Sequence, residues 1–168
     1  MQGFEKISPS EFSTAFDRIG KDWILISASD GERANTMTAS WGGLGILWNK
    51  PVVICFIRPQ RFTCPMVEAS EMLSFAFLGE EHRAALQYCG RHSGREGDKF
   101  SAAGLTLAYA NDGVPYPAEA TEVLICKKLF QSEMKEADFL DPSLLSHYPT
   151  KDYHKVFVCE IVEVLQRK

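Results

Sequence analysis

Strand-length hydrophobic segments dominate this chain of 168 residues, and they predict a mainly β protein built as an antiparallel barrel. Three observations carry that reading. About seven segments of strand character stand against two or three of helical character. The regular strand–helix alternation that builds a parallel sheet is missing. No GxGxxG follows a strand and opens a helix, which argues against a Rossmann dinucleotide fold.

The elements follow in order. Ser8-Pro9-Ser10-Glu11 reads as a capping box, with Ser8 as cap and proline at the first helical position. Phe12, Phe16 and Ile19 share one face of this helix, and Gly20 ends it. Trp23 to Ala28 predicts a strand closed by the turn Ser29-Asp30-Gly31-Glu32. Thr36 to Leu47 predicts one long strand, or a strand with a bulge, because Gly42, Gly43 and Gly45 interrupt it. Val52 to Ile57 is bounded by Pro51 and Pro59. Met72 to Leu78 puts Leu73, Phe75 and Phe77 on one face. A second helix is predicted over Glu80 to Arg91, with acids in its first turn and Arg91 and His92 at its end, as the helix dipole favours. Leu105 to Ala110, Val123 to Phe130 and Val156 to Leu165 complete the strands. Between Lys135 and Tyr153, Pro142 and Pro149 break the pattern and leave room only for a helical turn near Ser143 to Ser146.

Composition narrows the function classes. The length fits a single domain over residues 1–168, and 45% hydrophobic residues suffice for one core. A net charge of −4 argues against a general nucleic-acid surface. The apolar run Val52 to Ile57 is too short to span a membrane, and Met1 to Lys6 contains no apolar signal region. The expectation is a cytoplasmic protein. The five cysteines form no CxxC pair and are scattered, which argues against a metal centre or a disulfide framework. Cys55, Cys126 and Cys159 sit in apolar runs and read as core residues, whereas Cys64 and Cys89 stay open. No metal ligand set is expected.

Four polar constellations carry the chemistry. Asn35-Thr36-Met37-Thr38-Ala39-Ser40-Trp41-Gly42-Gly43 offers hydroxyls and small side chains that let a planar ligand approach the backbone. Arg58-Pro59-Gln60-Arg61-Phe62-Thr63 offers two guanidinium groups and a hydroxyl for phosphate oxygens. His92 to Phe100 is a glycine-containing connection past a helix end, able to turn Ser93 and Lys99 inward. Tyr153-His154-Lys155-Val156-Phe157 opens the last strand with a histidine. Each has an ordinary alternative: a polar strand, a solvated turn, a charged loop and a structural histidine. Together they suit a phosphorylated, planar, hydrogen-bonding ligand, and flavin mononucleotide (FMN) leads that class.

In this order the four segments resemble the flavin reductase-like FMN-binding split barrels, a group that includes flavoredoxin. NTMTASWGG resembles the first flavin-contacting strand, PVVICFIRPQRFT the next strand with its phosphate loop, SGREGDKF the Ser…Asp-Lys-Phe segment, and YHKVFVCEIVEV the closing strand. The resemblance spans roughly residues 8 to 165. It implies an antiparallel Greek-key split β-barrel with a few short helices that pairs as a homodimer. Asn35, Thr36, Met37, Thr38, Ser40 and Trp41 would lie at the ring and ribityl chain. Arg58, Arg61 and Thr63 would hold the phosphate, with Ser93 and Lys99 adding polar contacts. Lys99 and His154 would be the catalytic candidates, stabilising negative charge as hydride arrives. Ile46-Leu47-Trp48-Asn49-Lys50-Pro51 departs from the family's Pro-Pro turn, so Trp48 is expected to reshape the pocket mouth.

Two functions then compete. One is an NAD(P)H-dependent flavin reductase passing hydride from NADH or NADPH to FMN. The other is an FMN electron carrier serving a redox partner protein without touching nicotinamide. A flavin-free binding module on the same barrel is a third, since a fold alone does not set function.

Overall fold

The computed structural model describes residues 14–110 and 113–167. In chain order the helices are α1 (Thr14–Gly20), α2 (Thr63–Ala69), α3 (Arg83–Arg91) and α4 (Lys99–Ala102). The strands are β1 (Ile24–Ser29), β2 (Ala34–Ala39), β3 (Gly42–Leu47), β4 (Lys50–Ile57), β5 (Met72–Phe77), β6 (Leu107–Tyr109), β7 (Pro115–Pro117), β8 (Glu122–Glu133) and β9 (Lys155–Gln166). Seven strands form one sheet in the order β2-β1-β5-β8-β9-β4-β3, and β6 pairs with β7 apart from it. Every pairing is antiparallel. The path from β4 to β5 skips two strands, as in a Greek key.

The outermost strands of this sheet, β2 and β3, are also consecutive in the chain. Only Ser40 and Trp41 separate Ala39 from Gly42, a span of at most about 11 Å. An open sheet cannot place its two edges that close, so the sheet rolls into a barrel. Its edges meet at one corner without pairing to each other. The single long strand expected over Thr36 to Leu47 is therefore two strands on opposite edges. The break falls where Gly42 passes the Ile54 carbonyl: a Cβ at Gly42 would stand 2.9 Å from that oxygen.

Central strands are buried on both faces, which explains their near-continuous hydrophobicity. Ile24, Ile26, Leu73, Phe75, Phe77, Leu124, Cys126, Phe157 and Cys159 fill the barrel, and Cys64, Met66 and Val67 of α2 pack against them. Leu25, Ala76, Val123 and Ile125 face outward beneath Ala85, Leu86 and Cys89 of α3 and Phe100 of α4. The expected face of Leu73, Phe75 and Phe77 is an interior one. Buried hydroxyls are satisfied: Ser27 donates to Thr36 Oγ1 at 2.9 Å, and Ser74 donates to the Pro115 carbonyl at 2.6 Å, tying β7 to the sheet. All five cysteines are buried and free.

Several expectations are revised. Ser8, Pro9 and Phe12 lie outside the described residues; within α1, Ile19 is buried but Phe16 is 53% exposed. Helix α2 was not expected after the arginine loop, nor α4, which Asp98 caps by accepting from the Phe100 N–H. Trp48 sits in a hairpin turn. It forms the two-residue β3–β4 turn with Asn49, at φ 52° and 57°, and its ring lies 6.5 Å from Phe130. Among the described residues, no helix is long and apolar enough to cross a membrane.

The interior packing predicts a specific cost. Phe75 is fully buried on a central strand, so Phe75→Ala is expected to lower unfolding free energy by about 3–5 kcal/mol. Urea denaturation checks this, and a loss below about 1 kcal/mol would contradict the filled interior.

Candidate functional site

Two adjoining clefts gather most of the chemistry-bearing residues. The first opens where the barrel edges meet. Met37, Thr38 and Ala39 of β2, the Ser40–Trp41 link, Phe56 of β4, Arg58, Arg61 and His154 line it. The topology explains the gathering: the end of β2, the end of β4 and the start of β9 converge at one corner of the barrel.

His154 is 6% exposed, with the Trp41 ring 5.3 Å and the Phe56 ring 6.5 Å away. Its Nδ1 lies 2.8 Å from the Tyr148 hydroxyl. Burial, aided by the Arg58 charge and opposed by Asp152, pulls its pKa down to about 4. The ring is therefore neutral at ordinary pH. Nδ1 is a better acceptor than the Met134 thioether, 3.6 Å from the same hydroxyl. The phenol proton accordingly goes to Nδ1, which leaves the imidazole proton on Nε2. His154 thus stands at the cleft as a neutral side chain and not as a cation.

Arg58 is already neutralised. Nη1 donates to Asp152 at 2.6 Å and Nη2 to the His147 carbonyl at 2.7 Å. Burial works to raise the Asp152 pKa, but hydrogen bonds from Arg58, Thr150 and Gln60 outweigh it and hold the carboxyl at about 2.

The second cleft lies beyond Arg61, between the α2 entry and the segment following α3. Gln60, Arg61, Phe62, Thr63, Arg91, His92, Ser93, Gly94, Arg95 and Lys99 line it. Four of these are arginine or lysine and none is a carboxylate. Arg61 donates to the Gly90 carbonyl at 2.8 Å and the Cys89 carbonyl at 3.3 Å. Lys99 Nζ, 4% exposed, donates to the same Cys89 carbonyl at 2.7 Å, and Arg95 to the Gln60 carbonyl at 3.2 Å. Neutral acceptors thus hold these cations in place without cancelling their charge. Burial pulls the Lys99 ammonium down to about 8; Cys89 opposes the shift, Arg61 adds to it and Glu96 opposes it. Gly94 is needed where the loop crosses β2, because a Cβ there would run into Asn35 Oδ1 and the Phe62 ring.

The expected residues therefore divide. Met37, Thr38, Ser40, Trp41, Arg58 and His154 border the first cleft, Thr63, Ser93 and Lys99 the second, and Arg61 both. Arg58 stands apart from Thr63, and the two catalytic candidates, Lys99 and His154, sit in different clefts. Asn35 and Thr36 are buried behind the site: Asn35 donates to Thr63 Oγ1 at 2.8 Å, and Thr36 bonds Ser27 and the Ile26 carbonyl. Arg91, Arg95, Tyr148 and Asp152 were not singled out from the sequence. The pair of arginines bracketing His92 to Gly94 was the signal for the first two; the second two are brought in by a loop with no periodicity. The open question of Cys64 and Cys89 closes: burial pushes the Cys64 thiol up to about 11 and Cys89 above its usual range, so neither is a thiolate at neutral pH.

Comparison with known proteins agrees with this architecture. Residues 16–168 match the model of the flavin reductase like domain. Among solved structures, the chain is similar to an FMN-binding protein from Thermus thermophilus with bound p-hydroxybenzaldehyde, at 22% identity over 100% of this chain and 83% of the other, TM-score 0.69. It is similar to flavoredoxin of Desulfovibrio vulgaris (Miyazaki F), at 20% identity over 87% and 69% of the two chains, TM-score 0.69. A third similar structure is a Streptomyces globisporus NADH:FAD oxidoreductase, at 15% identity over 97% and 88%, TM-score 0.67. No curated protein matches the chain.

The buried histidine makes stability depend on pH. With a folded pKa of about 4 against an ordinary 6.5, the unfolded chain binds the extra proton between those values. The contribution is complete above pH 6.5 and fades as pH falls towards 4. Wild-type protein is expected to lose about 2 kcal/mol more than His154→Asn across that window. Urea titrations at stepped pH measure this, and parallel curves for the two proteins would refute it.

Proposed function

The chain belongs to the flavin reductase-like family, and on that premise we propose that it binds FMN and acts as an NAD(P)H-dependent flavin reductase. One observation supports the reading above the rest: the second cleft holds four cations, no carboxylate and two hydroxyl groups, Thr63 and Ser93. That donor set fits a phosphate monoester. The first cleft, which adjoins it at Arg61, offers the flat wall of Trp41 and the small residues Ala39 and Ser40 to a planar ring.

When bound, FMN supplies the hydride chemistry between a nicotinamide and an acceptor. The protein's share is binding and orientation. Arg61, Lys99, Thr63 and Ser93 would hold the phosphate, and Asn35 fixes the Thr63 hydroxyl from behind. Arg61 borders both clefts and would lie between the two ends of the ligand. His154 would offer its Nε2 proton to an electron-rich atom in the first cleft, with Tyr148 holding the imidazole at Nδ1. Trp41 and Phe56 limit water on this side.

An anaerobic absorption titration of the FMN-loaded protein with NADH, then NADPH, tests the proposal. Bleaching of the flavin band is the expected result and identifies the donor. A band reduced by dithionite but by neither nucleotide would replace the reductase with the electron carrier. Failure to retain FMN would overturn both. Arg61→Ala is expected to weaken FMN binding about tenfold or more. Arg58→Ala should cost less, since Asp152 already takes that charge. Equal losses would contradict the division between the clefts.

The reading also includes pairing with a second copy of the chain. Leu44 and Ile46 of edge strand β3, with Val162 and Val164 of β9, are exposed, Ile46 to 75%. An apolar edge strand of this kind needs covering, and Trp41 connects it to the ring cleft through the groove beside α1. Sedimentation velocity is expected to give a dimer that Ile46→Asp converts to monomer. A wild-type monomer at micromolar concentration would overturn the pairing.

A further inference from the structure

A third cleft, of about 200 Å³, opens on the outer side of the barrel beside α3. It plays no part in the function proposed above. Trp23 forms one wall, Leu86 and Gly90 lie along the helix side, and Gln87 and Arg91 supply polar groups. The cleft touches both neighbours: Thr38 and Ser40 also border the ring cleft, and Arg91 also borders the cationic cleft.

Trp23 is held there against its backbone preference. Its φ is +69°, in the left-handed region that a bulky side chain rarely occupies. Arg83 keeps it so. The guanidinium sits 3.6 Å above the indole, and Nη1 donates to the carbonyls of Lys21 at 2.8 Å and Asp22 at 3.0 Å. One side chain from α3 thus clamps the backbone before β1 and the ring that follows it. Strain maintained by such a clamp marks a side chain whose placement matters.

We propose that this cleft is an adenine subsite. The Trp23 indole offers a stacking wall, the Gln87 amide offers both donor and acceptor to a base edge, and Arg91 offers a cation to a phosphate lying towards the cationic cleft. This rests on the flavin reading of the two neighbouring clefts. Because the cleft shares lining residues with both neighbours, a dinucleotide anchored in either could extend its base into it, and two sources share that chemistry: the adenine of flavin adenine dinucleotide (FAD), or the adenine of the nicotinamide reductant.

Isothermal titration separates the sources. Ligand-free protein is titrated with FMN, FAD and ADP, and FMN-loaded protein with NAD+ and NADP+. Each series is run on wild type, Trp23→Leu and Gln87→Ala; the second variant alters an exposed helical position and guards against a folding failure in the first. The adenine-bearing ligand is expected to lose about five- to tenfold in affinity in both variants, with FMN unchanged. Loss confined to FAD assigns the base to the flavin; loss confined to NAD+ or NADP+ assigns it to the reductant. If no adenine ligand weakens in either variant, the subsite is overturned. If no flavin binds at all, the flavin reading falls, and ADP alone decides: binding that weakens in the variants sustains the subsite, and absent or unaltered binding overturns it.

Discussion

The link Ser40–Trp41 is the constraint on which the rest of the molecule depends. Two residues join the opposite edges of a seven-stranded sheet, so the sheet has no choice but to roll. Rolling encloses an interior for Phe75 and Phe157 and brings the ends of β2, β4 and β9 to one corner. The edges meet there without hydrogen bonding, and the gap becomes the first cleft. The link that forces closure also contributes two lining residues to it.

A second principle organises the charge. The last carbonyls of an α-helix lack intrahelical partners and carry the negative end of its dipole. Those of α3, at Cys89 and Gly90, accept from Arg61 and Lys99. Anion sites are often built on helix N-termini. Here a helix C-terminus orients cations, and these cations line the second cleft. The arrangement leaves Arg61 and Lys99 fixed yet uncompensated, unlike Arg58, whose partner is a carboxylate.

Strands were legible wherever packing imposes one pattern over six or more residues. The runs at Val52 to Ile57 and Met72 to Leu78 show this, since interior burial demands it. The break after Ala39 was not legible, because glycines mark a bulge and a strand boundary equally well. Helix α2 was hidden behind Pro65, which reads as a breaker although it falls in the first turn, where proline is tolerated. In the site, residues inside recognisable segments were found and their sharing between two clefts was not. Arg58 and Arg61 are three positions apart in the chain and point to different partners. Only the partners, Asp152 and the α3 carbonyls, reveal this, and both lie distant in sequence. Tyr148 entered unseen for the same reason.

The single carbonyl of Cys89 accepts from both Lys99 and Arg61. Two positive groups therefore share one acceptor, and the Arg61 charge adds to the lowering of the Lys99 pKa. Any small oxyanion that binds there stabilises the native state by mass action. The choice of buffer then becomes a structural variable. In phosphate or sulfate the protein would be more stable than in chloride of equal ionic strength.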